Sequence, residues 1–299
     1  MIEHDRQFEL DTAQVKRSFD RAAKDYDAHA PLQREVRERL LEKLDFVTLE
    51  PSALLDAGCG PGGALPALAK RFRKAKLFAL DIAPGMLAEA RRRKPWFRTL
   101  ATLEGDLARM PLADDSVDLV FSNLALQWAN DLDAALKEFR RVLRGGGLVV
   151  FSTFGPDTLK ELRAAWSATD GYTHVNRFLD LHDVGDALVR AGFTEVVMDV
   201  EHFTLTYDHV KGLLRDLKVI GAHNVNAGRA HGLTGRQRFA AFEQAYEAFR
   251  SDAKLPATYE VVYGTAWLPE LPKGVRFVED GTVSAEDLRR SLRERKQHR

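Results

Sequence analysis

The sequence predicts an α/β protein built around a mainly parallel β-sheet, and three observations support this expectation. Short apolar runs alternate along the chain with segments whose apolar side chains recur at helical spacing. The short runs are apolar almost without interruption, which is typical of parallel strands buried on both faces. A glycine-rich loop follows the first run and opens a helical pattern. Such a sheet carries its ligand crevice beyond the carboxyl ends of its strands.

Composition narrows the class of protein. The 299 residues include 44 Lys and Arg and 44 Asp and Glu, so the formal net charge is zero, whereas a general nucleic-acid binder usually has a basic excess. No apolar run approaches the ~20 residues that cross a bilayer, and the first residues lack the apolar stretch of a secretion signal. The single cysteine, Cys59, excludes an internal disulfide and a multi-cysteine zinc site. We expect a soluble, cytoplasmic protein with no nucleic-acid or membrane partner.

The first half of the chain predicts two helices and then a regular alternation. Amphipathic patterns cover residues 15–30 and the region around residues 36–44. Strand patterns follow at residues 53–56, 76–81, 99–104, 117–122 and 147–153, with helical patterns at residues 65–72, 84–93 and 132–143 between them. This alternation indicates βαβ units.

The regular alternation of strand and helix patterns ends after residue 153. Helical patterns at 157–168 and 181–192 precede one or two strands at 195–207, a helical block at 209–250 and a last strand at 257–267. This order predicts a late strand of the sheet, then a helical insertion, then a closing strand. The basic run at residues 289–299 is typical of a solvated tail.

The sharpest local signal is the loop at residues 56–63, Asp-Ala-Gly-Cys-Gly-Pro-Gly-Gly. Glycines let the backbone turn tightly and approach a ligand closely. The loop lacks the Gly-Lys-Ser/Thr ending of a phosphate-binding P-loop, and Asp56 stands two residues before its first glycine. That carboxylate would repel a pyrophosphate and attract a cation such as the ammonium of an amino acid. Asp81 ends the next strand pattern, where a ribose diol would be hydrogen-bonded.

The pattern Asp-x-Gly-x-Gly-x-Gly resembles the cofactor loop of class I S-adenosylmethionine-dependent methyltransferases, which have a Rossmann-like sheet. Three further segments match that family in order, namely Asp81-Ile82 with Met86, Gly105-Asp106-Leu107, and Asn123-Leu124. The resemblance implies S-adenosyl-L-methionine as cofactor. It places Asp56, Gly58 and Gly60 at the methionine part, Asp81 at the ribose hydroxyls, Ile82 and Met86 beside the adenine, Asp106 and Leu107 at its amino edge, and Asn123 and Leu124 on the floor. Cys59 is then a small residue within a tight loop and not a nucleophile.

The resemblance extends to the BioC-type malonyl-[acyl-carrier protein] O-methyltransferases of biotin synthesis. The matching segments are residues 19–34, 122–128, 154–162, 174–178, 217–229 and 256–261. It implies an N-terminal lid at residues 1–45 with Tyr26 as its polar, catalytic tip, and a cofactor-binding core at 46–155. Residues 156–268 would complete the sheet and carry the substrate and partner insertion at about 208–252, followed by a tail at 269–299.

The implied reaction methylates the free carboxyl of a malonyl thioester. This carboxylate is ionised at pH 7, so the reaction needs no general base. A guanidinium can grip a carboxylate through two hydrogen bonds, and Arg177 and Arg229 lie in two of the matching segments. We expect these arginines to select the malonyl group, with His223 and Asn224 as further substrate-binding residues.

The implied carrier protein is acidic, so a basic docking face is expected on this chain. Lys211, Arg215 and Lys218 are spaced to share one stripe of a helix within the insertion. Such a stripe would steer an acidic partner in a salt-dependent manner. The sequence leaves open whether the thioester is carried by acyl-carrier protein or by coenzyme A.

Three other functions remain open at this point. The mitochondrial complex I assembly factors resemble the lid, the glycine loop and the C-terminal half, and in that family the cofactor site is associated with arginine hydroxylation. A methyltransferase acting on a small-molecule acid or a quinone would need no carrier docking. An RNA methyltransferase is disfavoured by the zero net charge and by the lack of an Asn-Pro-Pro-Tyr-type motif.

Overall fold

A computed structural model describes residues 9–94, 96, 98–222 and 235–270. One sheet with the strand order β3-β2-β1-β4-β5-β7-β6 forms its centre. The strands are β1 Ala53–Ala57, β2 Lys76–Asp81, β3 Leu100–Glu104, β4 Val117–Asn123, β5 Leu143–Phe154, β6 Thr194–Tyr207 and β7 Leu255–Trp267. Strands β1 to β5 are parallel, and β7 runs antiparallel between β5 and β6.

Strand β1 lies at the point where the strand order reverses. Its five residues are all buried, and it pairs with β2 on one side and with β4 on the other. Asp56 is opposite Ala79 of β2 and Phe121 of β4. In open α/β sheets the ligand crevice forms at this reversal, beyond the carboxyl ends of the strands. The fold therefore places the glycine-rich loop at the mouth of the crevice.

Helices cover both faces of the sheet. They are α1 Thr12–Ala22, α2 Pro31–Lys43, α3 Leu65–Arg71, α4 Pro84–Arg92, α5 Leu132–Val142, α6 Lys160–Ser167, α7 Leu181–Arg190, α8 Val210–Val219 and α9 Arg236–Glu247. Successive strand residues point to opposite faces, so Leu54 packs in one core with Val36 of α2, while Leu55 packs in another with Phe139 of α5. Burial of both strand faces explains the uninterrupted apolar runs.

The α/β class, the late strand, the helical insertion and the closing strand are confirmed. Residues 194–207 form one strand, which settles the choice left open between one strand and two. The insertion contributes α8 and α9 between β6 and β7. Among the described residues, no helix combines the length and the apolar character that a bilayer crossing requires.

Two predicted helices have different bounds. The helix predicted at 15–30 begins at Thr12, because Asp11 caps the backbone nitrogen of Gln14 at 2.9 Å, and it ends at Ala22. A turn follows, and residues Tyr26–Ala28 form a separate 3₁₀ helix that brings Tyr26 to the crevice. The helix predicted from residue 157 begins only at Lys160. The cause is β7, where the Glu260 carboxylate accepts a hydrogen bond from the Asp157 backbone nitrogen and the Glu260 carbonyl oxygen accepts one from the Thr158 hydroxyl.

Candidate functional site

The carboxyl ends of four parallel strands open into one cleft. The glycine loop follows β1, Asp81 ends β2, Asp106 follows β3 and Asn123 ends β4. Nine of the ten predicted cofactor residues line this cleft: Gly58, Gly60, Asp81, Ile82, Met86, Asp106, Leu107, Asn123 and Leu124. The tenth, Asp56, lines a smaller cavity that shares Gly58, Gly60 and Asn123 with the cleft.

The glycine loop is held against β2 by backbone hydrogen bonds. The nitrogens of Gly58 and Cys59 donate to the carbonyl oxygen of Leu80 at 2.8 and 2.9 Å. Gly58 has φ +71°, and a Cβ at this position would collide with the Cβ of Ala125. Glycine is thus required here for both backbone conformation and space. The Cys59 thiol is buried, which raises its pKa well above the ordinary value and makes a thiolate nucleophile unfavourable.

Asp81 connects the glycine loop to the start of α4. Its Oδ2 accepts a hydrogen bond from the Gly60 nitrogen at 2.8 Å, and its Oδ1 accepts one from the Ala83 nitrogen at 2.9 Å. Burial raises the pKa of Asp81 to about 6, although these backbone donors favour its ionised form. At neutral pH the group is predominantly a carboxylate, which can accept hydrogen bonds from a diol.

Asp56 is the most unusual polar group of the site. It is buried, and its Oδ2 has no hydrogen-bond partner among the described residues. Burial and then the charge of Asp81 raise the pKa of Asp56, Arg37 opposes both effects, and the resulting pKa is about 7. A buried carboxylate without a partner is costly. A cation brought by a ligand would remove this cost, so the residue fits the ammonium of an amino acid.

The remaining cleft walls are mostly apolar. Met86 is almost fully buried, and Leu107 lines the cleft beside Asp106, whose Oδ1 caps the backbone nitrogen of Ala108 at 2.8 Å. Leu124 has φ +48°, a left-handed conformation that is strained for leucine. Its backbone nitrogen is fixed at the end of β4 by hydrogen bonds to Ser152 at 3.0 and 3.1 Å. Strain of this kind is concentrated at ligand sites.

The N-terminal helices cover the cleft from above. Phe19 of α1 and Tyr26 line the cleft, and Phe19 meets the ring of Trp128 edge-on with 5.0 Å between centroids. Burial raises the pKa of Tyr26, and the negative charges of Asp81 and Asp27 raise it further. Tyr26 is therefore a neutral hydroxyl at physiological pH and a hydrogen-bond donor, not a base.

A second, largely apolar cavity adjoins the cleft. Trp128 lines both spaces, and Gln33 lines this cavity and the small cavity around Asp56. The other walls come from the second half of the chain, including Phe154, Phe178 and Tyr259. The apolar cavity therefore extends from the predicted cofactor site to the chain neighbours of Arg177, one of the predicted substrate residues.

Arg177 lies outside the cofactor cleft. It is exposed and lines a third cavity, which shares His174, Val175, Asn176 and Phe178 with the apolar cavity. His223, Asn224 and Arg229 lie outside the described residues. The structure thus brings the cofactor residues together, and Arg177, the one predicted substrate residue that it describes, does not line their cleft. The substrate roles of these four residues stay predictions.

The predicted docking stripe lies on α8. Lys211, Arg215 and Lys218 are all exposed, while Leu213 and Leu217 face the core. Lys211 is also bound to Glu243 of α9 at 3.1 Å. The stripe is accessible, and its role in docking stays a prediction.

Sequence reasoning missed one candidate residue of the site. Arg37 of α2 lines the cavity around Asp56, and its positive charge acts on both Asp56 and Tyr26. Arg37 stands in the run Arg34-Glu35-Val36-Arg37-Glu38-Arg39, whose charges are typical of a solvated helix face. No sequence signal distinguishes it from its neighbours.

Comparisons with known proteins agree with this geometry. Residues 55–151 match a family described as a methyltransferase domain. The chain is 54% identical to the malonyl-[acyl-carrier protein] O-methyltransferase of Methylovorus sp. strain MP688, covering 90% of this chain and 95% of that protein. The protein of the same name from Laribacter hongkongensis strain HLHK9 is 53% identical, with 92% and 95% covered.

Solved structures agree in fold. A Bacillus halodurans C-125 protein assigned as a methyltransferase superposes with a TM-score of 0.55 at 17% identity, covering 78% of this chain and 98% of that one. The YcgJ protein of Bacillus subtilis superposes with a TM-score of 0.56 at 12% identity, covering 79% and 99%. At these identities the likeness concerns the fold alone, which is the Rossmann-like methyltransferase fold predicted from the sequence.

Proposed function

Because the chain belongs to the family of malonyl-[acyl-carrier protein] O-methyltransferases, we propose that it methylates the free carboxyl of a malonyl group on acyl-carrier protein, with S-adenosyl-L-methionine as methyl donor. This reaction is the entry step of biotin synthesis. The observation that carries the proposal is the buried Asp56 carboxylate beside a glycine-lined cleft, whose Oδ2 has no hydrogen-bond partner within the described part of the chain. That arrangement suits the ammonium of the donor's amino-acid end.

The described residues fit this donor at each end of the cleft. Asp56 would bind the ammonium, and Asp81 would accept hydrogen bonds from the ribose hydroxyls. Ile82, Met86 and Leu107 would pack against the adenine, with Asp106 at its amino edge. When bound, the donor supplies an electrophilic methyl group on a sulfonium.

The chain's own residues position the reactants and exclude water. The malonyl carboxylate is already ionised at neutral pH, so no protein group needs to remove a proton. Tyr26 keeps its proton because of its raised pKa, and it can donate a hydrogen bond within the covered cleft. Methyl transfer from a sulfonium to a carboxylate annihilates charge, so a site closed by Phe19, Tyr26 and Trp128 favours it.

The malonyl group would reach the donor through the apolar cavity that meets the cleft at Trp128. Arg177, in the adjoining cavity, would bind the malonyl carboxylate or guide it inward, together with Arg229, His223 and Asn224. The basic stripe formed by Lys211, Arg215 and Lys218 would receive the acidic carrier protein. These roles are proposed from the resemblance and from the position of α8 beside the cavity, which Leu214 and Leu217 line.

A substrate panel tests the proposal. Labelled S-adenosyl-L-methionine is incubated with the full chain and with malonyl-acyl-carrier protein, malonyl-coenzyme A or free malonate at equal concentration. We expect label in the malonyl-carrier protein at a rate at least about tenfold above the other two. Equal rates on the two thioesters would exclude carrier docking, and transfer to free malonate alone would establish a small-acid methyltransferase.

A further inference from the structure

The small cavity around Asp56 contains more charged side chains than binding the ammonium of the donor alone would need. Its walls come from the glycine loop on one side and from helix α2 with the preceding turn on the other. Two buried carboxylates, Asp56 and Asp81, act on each other across this region. The amino-acid end of the proposed donor would bring a carboxylate of its own into that field. Without a cation from the protein, this third carboxylate would be repelled.

Arg37 supplies the cation at this place. It projects from α2 onto the glycine loop, where a Cβ at Gly63 would collide with its Nη1 atom. Gly63 therefore gives the guanidinium room to lie against the loop. The positive charge lowers the pKa of both Asp56 and Tyr26, so it acts on the interior of the cavity.

The guanidinium of Arg37 is also available for a ligand. Within the part of the chain that the structure describes, no hydrogen bond or ion pair joins it to another side chain or carbonyl. By contrast, Arg39 on the same helix is paired with both Glu35 and Glu201. Asp27, the other acid of this cavity, is paired with Arg93.

We propose that Arg37 binds the carboxylate of the donor's amino-acid end, opposite Asp56, which binds its ammonium. A guanidinium binds a carboxylate through two parallel hydrogen bonds, and such charge-assisted bonds are the strong ones. Arg37 belongs to the helix that covers the site, so the same contact ties that helix to the bound donor. The inference rests on the proposed function and adds to it a donor-selective residue.

Calorimetry with three ligands tests the assignment on the full chain. S-adenosylhomocysteine carries both charged groups, S-adenosyl-3-thiopropylamine keeps the ammonium and lacks the carboxylate, and 5′-methylthioadenosine lacks both. For Arg37→Met we expect S-adenosylhomocysteine to bind about 10- to 100-fold more weakly, with the other two ligands unchanged. For Asp56→Asn we expect both amine-bearing ligands to weaken and 5′-methylthioadenosine to be unaffected.

Arg39→Met is the matched control, because Arg39 has the same side chain on the same helix and is paired away from the cavity. It should leave all three affinities unchanged, and Arg37→Lys should restore part of the loss. Equal weakening of all three ligands by Arg37→Met would show a structural role and overturn the inference, as would unchanged binding. A loss in Arg34→Met alone would assign the carboxylate to that neighbour. If the unmodified chain bound none of the ligands, the proposed function itself would fail.

Discussion

Asp20 of helix α1 accepts a hydrogen bond from the backbone nitrogen of Gly85 over 2.6 Å, so a residue of the covering helix caps the start of α4. Met86, the next residue, lines the cofactor cleft. A Cβ at Gly85 would lie 2.8 Å from Asp20 Oδ1 and 2.9 Å from its carbonyl oxygen, so this close approach requires glycine. The position of helix α1 is thereby linked to α4, which contributes Met86 to the wall of the cleft.

Asp20→Ala removes this cap and should weaken the attachment of helix α1 to α4. Loss of a side-chain cap costs about 1 kcal/mol, which corresponds to a several-fold change in a local opening equilibrium. We expect faster hydrogen exchange in residues 12–28 and faster release of S-adenosylhomocysteine. Asp25→Ala is the control, since Asp25 is an exposed residue of the same region. Unchanged hydrogen exchange in Asp20→Ala would show that the hydrogen bond to α4 does not hold helix α1 in place.

Cofactor affinity should depend on pH through Asp56. Its pKa of about 7 means that its carboxylate is lost as the pH falls through neutrality. An ammonium needs the ionised form, so S-adenosylhomocysteine should bind more weakly at pH 6 than at pH 8. Binding near pH 7 should also release a proton, measured by calorimetry in buffers with different ionisation enthalpies. In Asp56→Asn, affinity should be low at both pH values, and a retained pH dependence would assign the effect to another group.

The same carboxylate should destabilise the ligand-free protein above neutral pH. Its pKa is raised on folding, so the folded state holds more protons than the unfolded state between the ordinary Asp value and about pH 7. The contribution of Asp56 to the free energy of unfolding is therefore greatest at low pH and is lost as the pH rises through 7. We expect Asp56→Asn to raise the Tm of the ligand-free protein at pH 8, and a lower Tm would contradict the assigned burial cost.

Gly58→Ala should abolish cofactor binding. The backbone there has φ +71°, and the new methyl group would collide with Ala125 Cβ. The double variant Gly58→Ala with Ala125→Gly removes the collision and keeps the backbone cost of about 1–2 kcal/mol, so it should recover part of the affinity. Gly171→Ala serves as control, because a Cβ at Gly171 meets open space. Full binding by Gly58→Ala would contradict the loop geometry.

Charge reversal of the α8 stripe tests carrier docking. Lys211, Arg215 and Lys218 changed to Glu should lower kcat/KM for malonyl-carrier protein by about tenfold or more at low salt and by less at high salt. Affinity for S-adenosylhomocysteine should not change. Reversal of three exposed lysines elsewhere, Lys70, Lys74 and Lys137, alters the net charge equally and is the control. Equal losses from both triple variants would indicate a net-charge effect and no docking face.

The sequence predicts most accurately the features for which the tertiary structure restricts which residue types a position can hold. Buried parallel strands impose apolar runs, and the left-handed backbone of Gly58 imposes glycine, so both the sheet and the loop leave a pattern in the chain. The continuous helix predicted at 15–30 was wrong because helical spacing persists through Tyr26, whereas the chain turns after Ala22. That turn brings Tyr26 to the cleft, a tertiary requirement that periodicity does not record.

Arg37 shows why part of the site could not be predicted. Its neighbours Arg34, Glu35 and Arg39 give the helix the charge pattern of a solvated surface. The packing of α2 on Gly63 distinguishes Arg37 from them, and that contact joins residues far apart in the chain. The late start of α6 has a similar origin, because Glu260 binds the Asp157 backbone nitrogen and the Thr158 hydroxyl across more than one hundred residues.

Methylation of the malonyl carboxyl is tested most directly by intact-mass spectrometry of malonyl-acyl-carrier protein after incubation with the chain and labelled S-adenosyl-L-methionine. We expect a gain of one labelled methyl group on the malonyl form, no gain on acetyl-acyl-carrier protein, and loss of the gain in Asp56→Asn. Absence of the gain, with S-adenosylhomocysteine still bound by the unmodified chain, would contradict carboxyl methylation and leave only the cofactor site.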